Sequence, residues 1–251
     1  MIVLVSSFAM VGSVLADEWP MFHKDLSHSG YSTGSAPHEN CVLWTYKTGG
    51  DVWSSPAVAD GMVFIGSLNN DVYALNASTG ALVWTYTTLG EVYSSPAVAD
   101  GMVVIGSTDN NVYALPEQDP NGDGVIDAGE VIWTFTTLDE VWSSPAVADG
   151  MVFVGSNDNN VYALPMNDPD GDGVIEAGEV IWTYTTGGDM YSSPAVAHGK
   201  VFVGSRDNNV YALNEFTGAL VWTYTTLGVV WSSPAVADGM VFVGSNDNNV
   251  Y

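Results

Sequence analysis

Ser94-Ser95-Pro96-Ala97-Val98-Ala99-Asp100-Gly101-Met102-Val103-Val104-Ile105-Gly106-Ser107-Thr108-Asp109-Asn110-Asn111-Val112-Tyr113-Ala114-Leu115 is the stretch whose reading decides the fold. Three short runs rich in valine and small apolar residues are separated by two polar turns, and none has a helical period of useful length. Asp100-Gly101 supplies two successive residues that tolerate positive φ, as a two-residue type I′ hairpin requires. Pro96 cannot donate to a ladder, so the first run is expected to be a sheet edge. A later run, Trp133-Thr134-Phe135-Thr136, supplies a fourth strand.

The same unit recurs along the chain. Its prolines fall at Pro56, Pro96, Pro145, Pro194 and Pro234, at spacings of 40, 49, 49 and 40 residues. Trp44, Trp84, Trp133, Trp182 and Trp222 keep those spacings, as do Tyr73, Tyr113, Tyr162, Tyr211 and Tyr251. A period of this size marks a repeat architecture. Four short strands per unit with a protected first edge describe the blades of an all-β β-propeller, in preference to a stacked solenoid. The repeats begin with a lone fourth strand, Leu43 to Thr48, and end in a third strand at Tyr251. Two arrangements follow: a closed five-bladed ring, in which the N-terminal strand completes the last blade, or an open arc of a larger propeller.

Composition narrows the function classes. With 29 Asp and Glu against 4 Lys and Arg in 251 residues, the formal charge is −25, which disfavours nucleic acid and anionic membrane surfaces as partners. Cys41 is the one cysteine, so no intrachain disulfide, CxxC metal site or haem attachment can form within the chain. Residues 1–16 are uncharged and apolar and end in Val14-Leu15-Ala16, which reads as a cleaved signal peptide; they are shorter than the ~20 residues that span a bilayer. The organisation expected is signal 1–16, leader 17–41 and repeats 42–251, giving an exported chain placed outside the cell, on its surface or in a periplasm, with no integral membrane segment after cleavage.

The run Ala74, Leu75, Asn76, Ala77, Ser78, Thr79, Gly80, Ala81, Leu82, Val83, Trp84 resembles the tryptophan-docking motif of the pyrroloquinoline-quinone (PQQ)-like β-propeller repeat family, and Ala212, Asn214, Thr217, Gly218 and Trp222 repeat it. The segment from Trp19 to Ser32 is similar to the leader of exported members. The resemblance implies that Trp84 and its equivalents pack between neighbouring blades. It also implies that catalytic members clamp the quinone between a tryptophan and a disulfide of adjacent cysteines, which a single Cys41 cannot make. No general-base aspartate or arginine over a quinone can be placed, since the one arginine, Arg206, sits in a repeat loop. Non-catalytic members, such as an outer-membrane barrel-assembly lipoprotein, are protein-binding scaffolds. The expectation is a non-enzymatic scaffold for a protein or cell-surface ligand, without PQQ. The alternatives are a quinoprotein dehydrogenase-like fragment and a carbohydrate-binding adhesin.

In the second and third units the turn before the fourth strand is nine residues longer, within 116–130 and 165–179. Asp119, Asn121, Asp123, Gly124, Val125, Asp127 and Glu130 fit the twelve-residue pattern D-x-[DN]-x-[DN]-G-x5-E, and Asp168, Asp170, Asp172, Gly173, Val174, Glu176 and Glu179 repeat it. A hard cation needs six to eight oxygens, which such a loop supplies from positions 1, 3 and 5, the carbonyl of position 7, position 9 and a bidentate Glu at 12. Turn chemistry alone explains Asp, Asn and Gly, but not the terminal Glu or the apolar position 8. Two calcium sites are expected, with dissociation constants on the order of 0.1–1 mM.

Each first strand is preceded by an acid and, two residues on, an aromatic: Asp51 with Trp53, Glu91 with Tyr93, Glu140 with Trp142, Asp189 with Tyr191; the fifth unit has Val229 and Trp231. These residues read either as a rim suited to a cation or a sugar, or as blade packing beside solvated carboxylates. Asp109, Asp158, Asp207 and Asp247 read as turn formers on the same face. Asn76-Ala77-Ser78 is a glycosylation sequon in a predicted surface turn. The repeated serine pairs have no His and Asp partners at triad spacing, and His23, His28 and His38 have no ligand-like neighbours.

Overall fold

The computed structural model describes residues 18–30 and 40–251; the expected signal peptide lies outside them. Four blades are complete antiparallel sheets in simple meander order. Blade 1 comprises β1 (Ala57–Ala59), β2 (Met62–Gly66), β3 (Asp71–Asn76) and β4 (Leu82–Thr87), and blade 2 comprises β5 (Ala97–Ala99), β6 (Met102–Gly106), β7 (Asn111–Pro116) and β8 (Trp133–Thr136). Blade 3 is β9 (Ala146–Ala148), β10 (Met151–Gly155), β11 (Asn160–Pro165) and β12 (Trp182–Thr185); blade 4 is β13 (Ala195–Ala197), β14 (Lys200–Gly204), β15 (Asn209–Asn214) and β16 (Leu220–Thr225). The fifth sheet has two strands, β17 (Ala235–Ala237) and β18 (Met240–Phe242), and beyond it only an isolated bridge joins Gly244 to Val250.

Local chemistry sets the turns. Both central residues of each first hairpin have positive φ, for example Asp100 at 50° and Gly101 at 77°, as a type I′ turn demands. In the central blades the middle strands are buried along their length because sheets cover both faces; β6 and β10 have no exposed position. The core is therefore a series of layers between blades. One such layer holds Phe64, Trp84, Val103, Ile105 and Ile126, and the next holds Val104, Trp133, Val152, Val154 and Ile175.

The fourth-strand tryptophans of blades 1 to 3 dock on the following blade. Trp84 Nε1 donates to Glu117 O at 2.9 Å, Trp133 Nε1 to Met166 O at 2.9 Å and Trp182 Nε1 to Glu215 O at 2.8 Å. Close approach is enforced elsewhere by glycine: a Cβ on Gly106 would lie 2.4 Å from Val141 Cγ1 of the next blade, and one on Gly204 the same distance from Val230 Cγ1.

Of the two arrangements left open by the sequence, the structure has the arc, and the sheets do not close into a ring. Residues Leu43–Thr48 do not complete the fifth sheet, which corrects the closed-ring expectation. They form no ladder among the described residues and lie where the fourth strand of a blade ahead of blade 1 would stand: Trp44 Nε1 donates to Ala77 O at 2.8 Å, as later docking tryptophans do, while Leu43 is exposed. At the other end Trp222, the equivalent of fully buried Trp84, is 38% exposed.

The proline-marked first strands form the concave inner edge, where an unpaired N–H needs a partner. The leader provides it. Val58 N donates to Trp19 O (2.7 Å), Val98 N to Pro20 O (2.6 Å), Val196 N to Leu26 O (2.6 Å) and Val236 N to Ser27 O (2.8 Å). A segment of thirteen described residues, 18–30, thereby straps blades 1 and 2 to blades 4 and 5 across the inside of the arc. His28 anchors its end: the ring is buried, Nδ1 lies 2.9 Å from Pro234 O, and burial pushes its pKa down to about 4.

Candidate functional site

The five aromatics that precede the first strands converge on one cavity of about 530 Å³, lined by Trp53, Tyr93, Trp142, Tyr191, Trp231 and Arg206. They touch in sequence along the arc. Trp53 meets Tyr93 edge-on at 5.5 Å, Tyr93 stacks on Trp142 at 4.4 Å and 3°, Trp142 meets Tyr191 at 4.9 Å, and Tyr191 meets Trp231 at 5.7 Å. The rings pack against one another, as the packing reading expects, and Trp53 remains 67% exposed and Trp231 52%.

The preceding acids engage these rings. Tyr93 Oη donates to Glu91 Oε2 at 2.8 Å, which raises the Tyr93 pKa, and Trp142 Nε1 donates to Glu140 Oε2 at 2.6 Å. In blade 4 the acid is used differently. Asp189 forms an ion pair with Arg206, whose guanidinium lies 5.5 Å from the centre of the Tyr191 ring. Asp51 is exposed beside Trp53.

The turn aspartates brace the same side of the fold. Tyr113 Oη donates to Asp109 Oδ2 (2.7 Å) and Tyr162 Oη to Asp158 Oδ2 (2.6 Å), and burial together with that carboxylate raises both phenol pKa values. Asp109 also accepts from the N–H of Leu89 and Asn111. Sequence reasoning found no chemistry in the serine pairs, and the structure gives them a structural task. The second serine of each pair ties blade to blade: Ser55 N donates to Ser95 Oγ, Ser95 N to Ser144 Oγ, Ser144 N to Ser193 Oγ and Ser193 N to Ser233 Oγ, all at 2.9–3.0 Å. The first serine binds within its own blade, as Ser94 Oγ does in accepting from Gly106 N. The signal was the exact recurrence of the pair; its meaning needed the neighbouring blade.

The two acidic loops stand on the outer side. Asp119 Oδ2 accepts from Gly124 N at 2.6 Å, and Asp168 Oδ2 from Gly173 N at 2.6 Å, bonds that hold both carboxyls below the usual range. Positive φ at Gly124 (92°) and Gly173 (90°) makes the bend. In the second loop carboxylate oxygens of Asp168, Asp170 and Asp172 lie within 4.8 Å of one another, and so do those of Asp170, Glu176 and Glu179. In the first, Asn121 replaces one carboxylate, and Glu130 Oε2 accepts from Asp127 N at 2.9 Å. An all-oxygen set gathered on so short a loop fits a hard divalent cation.

Neither loop is a free excursion. Thr85 N of blade 1 donates to Gly124 O and Ile126 N returns a bond to Thr85 O; Thr134 of blade 2 exchanges the same pair with Gly173 and Ile175. Each loop thus adds a short parallel bridge to the preceding blade and buries its apolar position-8 residue, Ile126 or Ile175, under a docking tryptophan. At the expected sequon, Asn76 Oδ1 accepts from Ser78 N and Thr79 N, closing the turn between β3 and β4.

The family model described as outer membrane protein assembly factor BamB matches residues 36–121, 125–174 and 172–251. Among solved structures, BamB from Moraxella catarrhalis superposes with TM-score 0.62 at 20% identity over 80% of this chain and 57% of its own. Quinohemoprotein alcohol dehydrogenase from Comamonas testosteroni superposes with TM-score 0.71 at 17% identity over 93% of this chain and 48% of its own, and the ADHIIG enzyme of Pseudomonas putida HK5 with 0.69 at 17% over 94% and 48%. The chain therefore spans about half the length of these proteins, and the likeness is one of fold. No curated protein sequence matches it.

Proposed function

The chain belongs to the family of repeat propellers described as outer membrane protein assembly factor BamB, and on that premise we propose that it is an exported, non-enzymatic scaffold that binds a protein or cell-surface ligand. The observation that carries this reading is the rim. Glu91 and Glu140 bond to their neighbouring ring donors and Asp189 to Arg206, while Asp51 stands exposed, so what the cavity chiefly offers is aromatic contact surface. Cys41, exposed and single, supports the same reading, since a quinone clamp of adjacent cysteines cannot be assembled from this chain. Among the described residues no helix is long and apolar enough to cross a membrane.

Calcium is the second part of the proposal. Asp119, Asn121, Asp123, Val125 O, Asp127 and Glu130 would hold one ion, and Asp168, Asp170, Asp172, Val174 O, Glu176 and Glu179 the other. Because each loop bridges to the blade before it, bound calcium would stiffen the contacts between blades 1 and 2 and between blades 2 and 3.

The quinoprotein-fragment reading is favoured by one observation, the higher TM-score and coverage against the dehydrogenases. Titration with PQQ in calcium buffer, followed by the fluorescence of the nine tryptophans, separates the two. The scaffold reading expects no saturable quenching. Quenching that saturates at micromolar quinone overturns it.

A further inference from the structure

Every blade places one residue of variable type after its Gly-Ser step: Leu68, Thr108, Asn157, Arg206 and Asn246. In blade 4 alone this residue is cationic, and its guanidinium has a defined seat. It pairs with Asp189, lies 5.5 Å from the Tyr191 ring centre and approaches Tyr191 Oη at 3.5 Å. An acid two residues before an aromatic therefore builds a unit that holds a guanidinium by charge and by the ring quadrupole together.

Blades 1 to 3 carry the same unit as Asp51 with Trp53, Glu91 with Tyr93 and Glu140 with Trp142. There the variable residue is Leu68, Thr108 or Asn157, none of which brings a positive charge. Glu91 and Glu140 each spend one oxygen on the neighbouring ring donor, and a carboxylate has a second with acceptor capacity. The rings line a 530 Å³ cavity, roomy enough for one or two long side chains, and Trp53 is 67% exposed at its edge. A chain of net charge −25 attracts basic partners.

We propose that the rim of blades 1 to 3 binds the guanidinium or ammonium side chains of a basic segment on a partner protein, in the way that Arg206 fills the rim of blade 4. The inference rests on the scaffold reading and names the chemistry of its partner. Arg206 acts as an internal occupant that closes the fourth unit to the ligand.

The test titrates the full chain, in 150 mM salt, with a hexapeptide alternating arginine and glycine and with its citrulline counterpart, which keeps the shape and loses the charge. Saturable binding of the arginine peptide, at least tenfold tighter than the citrulline peptide, is expected. Trp142→Leu and the more exposed Trp53→Leu leave every charge in place and are expected to weaken binding about fivefold and about threefold. Arg206→Gln frees Asp189 and Tyr191 and is expected to tighten it. Equal binding of the two peptides overturns the proposal. So does unchanged affinity in Trp53→Leu with its fold verified by circular dichroism, because attraction to the acidic surface alone is blind to the ring. A partner protein retained equally by wild type and Trp53→Leu overturns this inference and leaves the scaffold reading standing, whereas saturable quenching by quinone overturns the scaffold reading and this inference with it.

Discussion

The blade boundaries are of two kinds. Between blades 3 and 4, and between the lone strand Leu43–Thr48 and blade 1, the docking tryptophan lies against a glycine turn: a Cβ on Gly218 would stand 2.7 Å from Trp182, and one on Gly80 2.6 Å from Trp44. Between blades 1 and 2, and between blades 2 and 3, the acidic loop takes the place of that turn, and Ile126 or Ile175 packs in the same layer as the indole. Trp84 and Trp133 are fully buried there, whereas Trp182 is 7% exposed. The difference teaches that the inserted loops are part of the interface: besides apolar burial they add a backbone bridge that the glycine turns lack.

The largest test of this contrast removes the indoles. Trp133→Ala should cost about 4 kcal/mol in denaturant unfolding, as expected for a fully buried tryptophan, and Trp182→Ala distinctly less. Equal losses would show that the loop contributes nothing to the boundary it covers.

Acidification probes the inner strap instead. His28 is held neutral by burial, so a detached leader binds the proton more tightly than a docked one. Docking is fully favoured above pH 6.5 and loses up to about 3 kcal/mol as pH falls from 6.5 towards 4. Hydrogen exchange at Val196 and Val236, whose amides bond to the leader, should accelerate over that window, and His28→Gln should remove the larger part of the dependence, His23 of the same strap being lowered by burial as well. Glu117 and Glu215, buried beside Asp60 and Asp149, have raised pKa values and act in the opposite sense, since their contribution is present at low pH and declines as pH rises through the carboxylate range. Local exchange therefore reports on the strap better than global melting does.

Gly106→Ala forces a methyl to within 2.4 Å of Val141 and should cost about 2 kcal/mol, with most of it restored by Val141→Ala in the double variant. Site by site, the smallest expected effect is that of calcium. At tenfold its dissociation constant the ion should add about 1.4 kcal/mol per site, read as a rise in Tm that chelator reverses. Glu130→Gln with Glu179→Gln should abolish that rise, and a rise that survives both substitutions would place the ion elsewhere.

Much of the fold was legible because its signals are local. The Asp100-Gly101 hairpin, the edge-marking Pro96 and the strand periodicity each report on a few consecutive residues, and fivefold repetition multiplied them. The rim aromatics and the loop residues were identifiable as sets for the same reason. The seat of Arg206 was not, because it joins residues 17 apart through a ring and a carboxylate whose directions depend on the blade. Neither was the strap, since Trp19 to Ser27 carries no strand pattern and bonds through backbone carbonyls, which no side-chain motif announces.

The sequence by itself determined the blade: four strands, their turns, the docking tryptophan and the twelve-residue acidic loops, all set by steric and hydrogen-bonding preferences of neighbouring residues. Only the tertiary structure decided that the blades form an arc, that Leu43–Thr48 docks on blade 1 without a ladder partner among the described residues, and that five separate aromatics become one surface. Those outcomes depend on which faces meet across 40 or 49 residues of chain, a matter of packing between repeats whose sequences are nearly the same.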